Sequence, residues 1–387
     1  MSTLSNHNAS ASVSKRSVYR PELDILRFIA FFGVFLFHSA GYSVEFYRQH
    51  HVPLLVAEIL NAAIGGGKYG VNLFFALSSY LITDLLIRER EQYGSLDVRF
   101  FYLRRILRIW PLYYFILLIT VLIPFFDPDR EFGVRYVLPF MLLSGNWAFV
   151  AFGGPDRVAA SPLWSVSVEE QFYLLWPPVV ARLSRRQIIY AALGMIVVAN
   201  LTRVMLLVLS ASPMALWANT FAHLDSIAAG ILLAIMLHGR APSIPPATRI
   251  ALLICGAGCI TLRGYFQTLT ADSMSWGTTL FGWPLVAAAC AVTLFAFIGL
   301  KVQQPWLQYL GKISYGLYAY HVFCIMTADQ LLAIQHLIRE HTLLHAALRE
   351  IIAFGLTIAV SAVSYAVLEK PFLKLKERFT RVRSRPV

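Results

Sequence analysis

The chain has 387 residues, of which 58% are hydrophobic and 14% charged, with a mean hydropathy of +0.62. Soluble domains carry about a quarter charged residues, so composition excludes a water-soluble globular protein and indicates a polytopic helical membrane protein. The net charge of +12 and the pI near 9.6 raise the question of a polyanionic partner, which the placement of the basic residues decides.

In chain order, Met1 to about Asp24 is Ser-rich and polar, with Lys15, Arg16 and Arg20 just before the first apolar run. No small-residue cleavage site follows a short apolar core, so an uncleaved first span with a cytoplasmic tail is expected. Apolar windows able to cross a ~30 Å hydrocarbon layer as helices then recur at roughly 25–44, 70–87, 106–123, 163–181, 187–208, 217–237, 248–266, 276–300, 306–327 and 345–368. The expected fold is therefore an all-α membrane protein of about ten transmembrane helices with both termini cytoplasmic. Residues 1–20 form a polar cytoplasmic tail, 21–372 the membrane domain and 373–387 a basic cytoplasmic tail. In this topology the inner segments hold 23 Lys and Arg and the outer segments 7, while Arg27, Arg203 and Arg349 lie within spans. That is the positive-inside distribution, and it accounts for the basicity without nucleic acid. Counting 136–150 ("YVLPFMLLSGNWAFV") as a further span would invert every later loop, so a short or re-entrant outer segment is expected there. Cys255, Cys259, Cys290 and Cys324 fall in apolar spans without paired loop spacing and are expected as buried reduced thiols, with no metal site. No internal repeat or coiled coil is visible.

A channel, a transporter and a membrane enzyme share this pattern, and the intramembrane polar groups discriminate among them. Each charge near mid-bilayer costs ~2.5–3.5 kcal/mol on insertion scales. In the first span, "RFIAFFGVFLFH" places Arg27 and His38 eleven residues apart. On a helix they share one face, about three turns and ~16 Å apart. They are either packing and interfacial residues or a histidine poised as a general base beside an arginine. In "GVNLFFALSSYLI", Asn72, Ser78 and Ser79 either let helices approach closely or meet a substrate. In "RFFYLRRILRIWPLYY", Arg104, Arg105 and Arg108 gather on an inner-face helix, and Pro111 marks a kink or a start. The three guanidiniums either rest on anionic lipid or clamp phosphate.

In "SPLWSVSVEEQFYLLWP", Glu169 and Glu170 sit ~100° apart on a helix and cannot face one surface together. At least one should meet a partner inside the bundle, with Arg27, Arg203 and His38 as candidates. Asn200, Arg203, His223, Asp225, Tyr318 and His321 are further intramembrane polar residues. Glu369 beside Lys370 reads as an interfacial cap and anchor.

Taken together, the Arg27/His38 spacing, "GVNLFFALSSYLI", "RRILRIWPLYY", "PLWSVSVEEQFYLLWP", "LDSIAAGILLA", "ISYGLYAYH" and "SYAVLEKPF", in this order, resemble the acyltransferase family 3 integral-membrane proteins, which include the O-antigen acetylases. The resemblance runs from about Pro21 to Phe372. It implies a multi-pass inner-membrane O-acyltransferase moving an acyl group, usually acetyl, from cytoplasmic acyl-coenzyme A to a hydroxyl of an envelope or exported glycan, such as a lipopolysaccharide, an exopolysaccharide or a lipid-linked sugar.

The resemblance further implies catalytic roles for Arg27, His38, Glu169 and Glu170, with Arg105 and Arg108, joined here by Arg104, at the coenzyme. Asn72, Ser78, Trp164, Arg203, Asp225 and His321 are the candidate substrate-binding residues. Arg27, with Glu169 or Glu170, is expected to set the tautomer and protonation of His38. Two departures bear on the acceptor: Ser78-Ser79-Tyr80 stands where the family commonly has Ser-Gly-Phe, and His223 lacks the arginine common two residues before the aspartate. The hydrolase-like domain that some relatives carry after the last span is not expected. The alternative is a proton-coupled secondary transporter of a small polar solute, which would more often show two matching halves.

The charge distribution makes the topology testable. Gln92→Cys and Arg381→Cys should be shielded from an impermeant thiol reagent in intact cells, and Ser273→Cys labelled. Labelling at position 381 without lysis would break the ten-span reading.

Overall fold

The computed structural model describes residues 19–125, 132–155, 158–269, 274–302, 304–334 and 342–380. Among them every regular element is helical, and each of the ten expected spans contains a helix. Seven helical stretches are long and apolar enough on their own to cross a membrane: Leu54–Tyr93, Val98–Leu122, Arg185–Val208, Thr220–Leu237, Pro246–Gln267, Trp276–Phe297 and Leu343–Glu377. The protein is thus an all-α, multi-pass membrane protein. The helices Pro21–Ser39, Leu163–Arg182 and Ser314–Ile334 fall outside that set, and they carry Arg27, His38, Glu169, Glu170, Tyr318 and His321.

Burial separates centre from rim. Within Leu54–Tyr93 and Thr220–Leu237, 72% and 67% of the apolar window is buried, against 22% in Arg185–Val208 and 17% in Pro246–Gln267. The rim helices expose Val197, Leu201, Ile254 and their neighbours, the pattern of a bundle whose apolar exterior meets lipid. Cys255 corrects the sequence expectation: it lies on the outward face of Pro246–Leu269 and is exposed, with Cys259 half-exposed and only Cys290 and Cys324 buried.

The helix Pro21–Ser39 begins with Pro at its first position, where φ is pre-set and no N–H is lost. Glu22 and Asp24 occupy its first turn and His38 its last, each favourable to the helix dipole. Glycines pin it from the side. A Cβ at Gly70 would overlap Ala30 O, and one at Gly67 would overlap Gly33 O. The next helix therefore meets it backbone to backbone.

Two elements refine the sequence reading. Residues 54–66 form a helix, Leu54–Gly66, that runs through a 3₁₀ turn, Gly67–Tyr69, into Gly70–Tyr93 and packs along Pro246–Leu269. Its run of exposed Leu54, Leu55, Val56, Ile59 and Leu60 lacks the polar face of an outer loop. The stretch 136–150 resolves into Val134–Met141 and Gly145–Phe152, two helices of eight residues each, too short to cross a bilayer.

Arginines expected on the cytoplasmic face close helix ends. Arg90 donates to the carbonyls of Val180 and Leu183 at 2.5 and 2.7 Å, at the end of Leu163–Arg182. Arg185 donates to Ile235 O near the end of Leu224–Leu237, and Arg249 to Ala296 O and Ile298 O past Gly282–Phe297. Three helices thus end against arginines, whose guanidiniums satisfy carbonyls of their last turns.

Gly70→Val should lower the thermal transition of the purified protein markedly, since its neighbour is backbone. Gly194→Ala, with open space around it, should leave the transition unchanged or raise it by the ~0.5–1 kcal/mol that a helical glycine costs. Equal transitions would show that the helix contact at Gly70 gives way freely.

Candidate active site

Two cavities lie end to end beside the helix Pro21–Ser39. The first, of about 150 Å³, is rich in arginine: Arg20, Arg27, Arg105 and Arg108 line it with Asp24, Ser78, Glu169 and Tyr173. The second, of about 560 Å³, is lined by His38, Lys68, Trp164, Trp217, Gln267 and Arg349 among others. Val71 and Tyr318 line both. These two side chains stand between the cavities, and Tyr318 OH is held there by Ser165 Oγ at 2.7 Å with Phe74 against its ring at 5.6 Å.

In the arginine-side cavity, Arg27 donates to Asp24 Oδ1 at 2.7 Å. Arg105 rests over the rings of Phe101 and Tyr173, at 5.3 and 5.4 Å. Among the described residues neither Arg105 nor Arg108 forms an ion pair with a carboxylate, although both line the cavity. Glu169 accepts from Ser78 Oγ at 2.8 Å and from Tyr173 OH at 3.0 Å. The glutamate pair divides as helical geometry requires. Glu169 faces the cavity, while Glu170 lines neither cavity and accepts from Trp110 Nε1 at 3.0 Å. The partners of both are hydroxyl and indole groups rather than the expected Arg27, Arg203 or His38.

His38 is exposed to the histidine-side cavity. Its Nδ1 lies 3.0 Å from Val34 O and 3.1 Å from Nε2 of His321. Arg27 opens onto the other cavity, so the residue that touches His38 is His321 and not Arg27, contrary to the sequence expectation.

Other expected site residues serve the packing. Arg104 donates to Glu89 at 3.0 Å and to Phe379 O at 2.9 Å, and it lines neither cavity. Arg108 lies one helical turn on, and it is the bonds to Glu89 and Phe379 O that hold the Arg104 side chain out of the cavity. Arg203 is fully buried and donates to Asp225 Oδ2 at 2.6 Å and to Ala222 O at 2.5 Å. Asn72 donates to Ser226 Oγ at 3.0 Å and lies 3.2 Å from His223 Nδ1. None of Asn72, Arg203, Asp225 and His321 lines either cavity. Ser78 and Trp164 do, one on each side. Sequence reasoning passed over Tyr173 and Lys68. Tyr173 lies four residues after Glu169, one helical turn on, which is a readable signal. Lys68 sits 4.9 Å from the Trp217 ring, a contact that only the fold brings about. Among the described residues no group of three His, Cys, Asp or Glu side chains is arranged to hold a metal.

A family model described as an acyltransferase domain, Acyl_transf_3, matches residues 20–366, which include every residue lining the two cavities except Tyr19. The chain belongs to this acyltransferase family. It is 26% identical over 360 residues to a peptidoglycan O-acetyltransferase of Listeria monocytogenes, covering 86% of this chain and 56% of that protein. Similarity to a putative peptidoglycan O-acetyltransferase of Bacillus subtilis is 28% over 331 residues, covering 79% and 50%. A putative O-acetyltransferase of Staphylococcus aureus is 25% identical over 384 residues, covering 93% and 58%. The chain thus spans about half the length of these relatives. No solved structure matches it. His223 stands two residues before Asp225, and the fold supplies that aspartate with an arginine from the adjacent helix, Arg203.

The Arg203–Asp225 pair can be tested as packing. Arg203→Ala strands a buried carboxylate and should cost about 3–5 kcal/mol, whereas Arg203→Met with Asp225→Leu together should restore most of the stability. Thermal unfolding in detergent reads both. A double variant as unstable as the single one would mean that the pair does more than neutralise its own charge.

Proposed function

We propose that the protein is an O-acyltransferase that carries an acyl group, acetyl in the first instance, from acyl-coenzyme A on the cytoplasmic side of the inner membrane to a hydroxyl of a cell-envelope glycan on the other. The observation that carries this reading is the pair of cavities meeting at Val71 and Tyr318, with guanidiniums at one end and a histidine at the other.

The donor's nucleotide end is polyanionic, and Arg105 and Arg108 offer guanidinium forks suited to phosphate. Arg27, ~16 Å from His38 along its helix, belongs with this donor site. The uncharged pantetheine arm then threads between Val71 and Tyr318, past Ser78 and Glu169, and delivers its thioester to His38. There the imidazole takes the proton from the acceptor hydroxyl as its oxygen attacks the thioester carbonyl carbon. The C–S bond breaks, the ester forms, and the imidazolium returns its proton to the departing thiolate. The acceptor occupies the histidine-side cavity, where Trp164 and Trp217 offer flat apolar faces and Gln267 and Lys68 polar ends. The names of the relatives, peptidoglycan O-acetyltransferases among them, favour a glycan acceptor, with peptidoglycan the first polymer to try.

His38→Gln should lower transfer by ~10²–10⁴-fold or more while acyl-coenzyme A still binds. Arg105→Ala and Arg108→Ala should each weaken donor binding at least tenfold, about 1.5–3 kcal/mol for a lost charge-assisted phosphate contact. A folded His38→Gln protein that transfers at the unmodified rate would remove the histidine from the chemistry. Normal donor binding by both arginine variants would return those residues to lipid anchoring.

A further inference from the structure

We propose that His321 is a positioning residue that fixes the tautomer of His38, so that the lone pair of the reacting nitrogen points into the histidine-side cavity. The inference rests on the reading of His38 as the base and adds how that base is set.

The assignment follows from the hydrogen-bond partners, atom by atom. His321 Nδ1 lies 2.6 Å from Tyr318 O. A carbonyl oxygen can only accept, so this nitrogen carries a hydrogen. The His321 ring is fully buried, and among the described residues no carboxylate forms an ion pair with it. A neutral ring is therefore the low-energy form, and its Nε2 holds a lone pair. That lone pair faces His38 Nδ1 at 3.1 Å. Two bare nitrogens would repel at this distance, so His38 Nδ1 must donate. Val34 O, 3.0 Å from the same nitrogen, imposes the same requirement independently. With both acceptors on Nδ1, the neutral His38 ring has its hydrogen there and its lone pair on Nε2.

When Nε2 takes the acceptor's proton, Nδ1–H already points at a buried neutral imidazole and a carbonyl, which share the new positive charge. The proton on Nδ1 has no onward route, because the far side of His321 is occupied by its own N–H donating to Tyr318 O. The proton taken at Nε2 therefore stays on His38 and remains available to the leaving thiolate. Tyr318 joins both roles, as the carbonyl that orients His321 and as a side chain standing between the two cavities.

The test has two arms. Solid-state ¹⁵N spectra of histidine-labelled protein, with the His38 signal assigned by its loss in His38→Gln, should show His38 protonated at Nδ1 and bare at Nε2. In transfer assays, His321→Leu should lower kcat by about 10²-fold with the KM for acyl-coenzyme A unchanged. His321→Gln, whose amide oxygen can accept the same N–H, should recover most of that loss. A His38 signal bare at Nδ1, an unaffected His321→Leu kcat, or a His321→Gln protein as slow as His321→Leu would each overturn the proposal. If His321→Leu fails to fold, the spectrum and the glutamine variant decide. Should the unmodified protein transfer no acyl group at all, the enzyme reading falls, while the tautomer is still settled by the spectrum.

Discussion

A charge inside an apolar bundle has to be satisfied there or lose its hydration for nothing, and this requirement sorts the polar residues of the protein. Arg203 with Asp225 and Arg104 with Glu89 are closed in buried ion pairs away from both cavities. His223 is enclosed as well, between Asn72 and Trp217 O. Arg105, Arg108 and His38 are different. Each opens onto a cavity, and among the described residues neither arginine is joined to a carboxylate in an ion pair. The sequence marks all of these residues as unusual, but only the second group is placed to meet a ligand.

The same requirement explains why the two cavities differ. A bundle that holds Arg20, Arg27, Arg105 and Arg108 around one space keeps Asp24 and Glu169 beside them, and ties Glu169 by two hydroxyl donors. Around His38 the walls are apolar for the most part, with Phe37, Trp164 and Trp217 among them. An anion is welcome at one end and a flat, hydroxylated molecule at the other. The donor and acceptor proposed above follow that division.

Most of the architecture was legible in the sequence because hydropathy and charge report on lipid and on the membrane face directly, one residue at a time. The helix Leu54–Gly66 was not, since an apolar run without caps or span length reads equally as loop. The site was legible in part. The one-turn relation of Arg105 to Arg108 and the ~100° offset of Glu169 from Glu170 are local properties of a helix, and the fold keeps them. Arg104, Asn72, Arg203 and Asp225 were grouped with the site because polarity in a span is visible, while the helix each one faces is not. Arg104 turns to Glu89, fifteen residues earlier, and Arg203 to Asp225, twenty-two residues later. His321 was separated from His38 by 283 positions, a distance that only tertiary packing closes.

The arginines that cap helix ends carry a consequence for how this protein enters its membrane. Arg90, Arg185 and Arg249 belong to the set that the positive-inside pattern expects on the inner side, and each also satisfies a carbonyl at the end of a separate helix. During insertion such a residue acts first as a retention signal and afterwards as a structural plug. A neutral side chain with an N–H donor in its place could keep the carbonyl bonds that one terminal nitrogen makes in Arg90 and in Arg249, but it would carry no retention signal. Orientation and helix termination are thereby written into the same side chains, so a drift in sequence that is neutral for one is not neutral for the other.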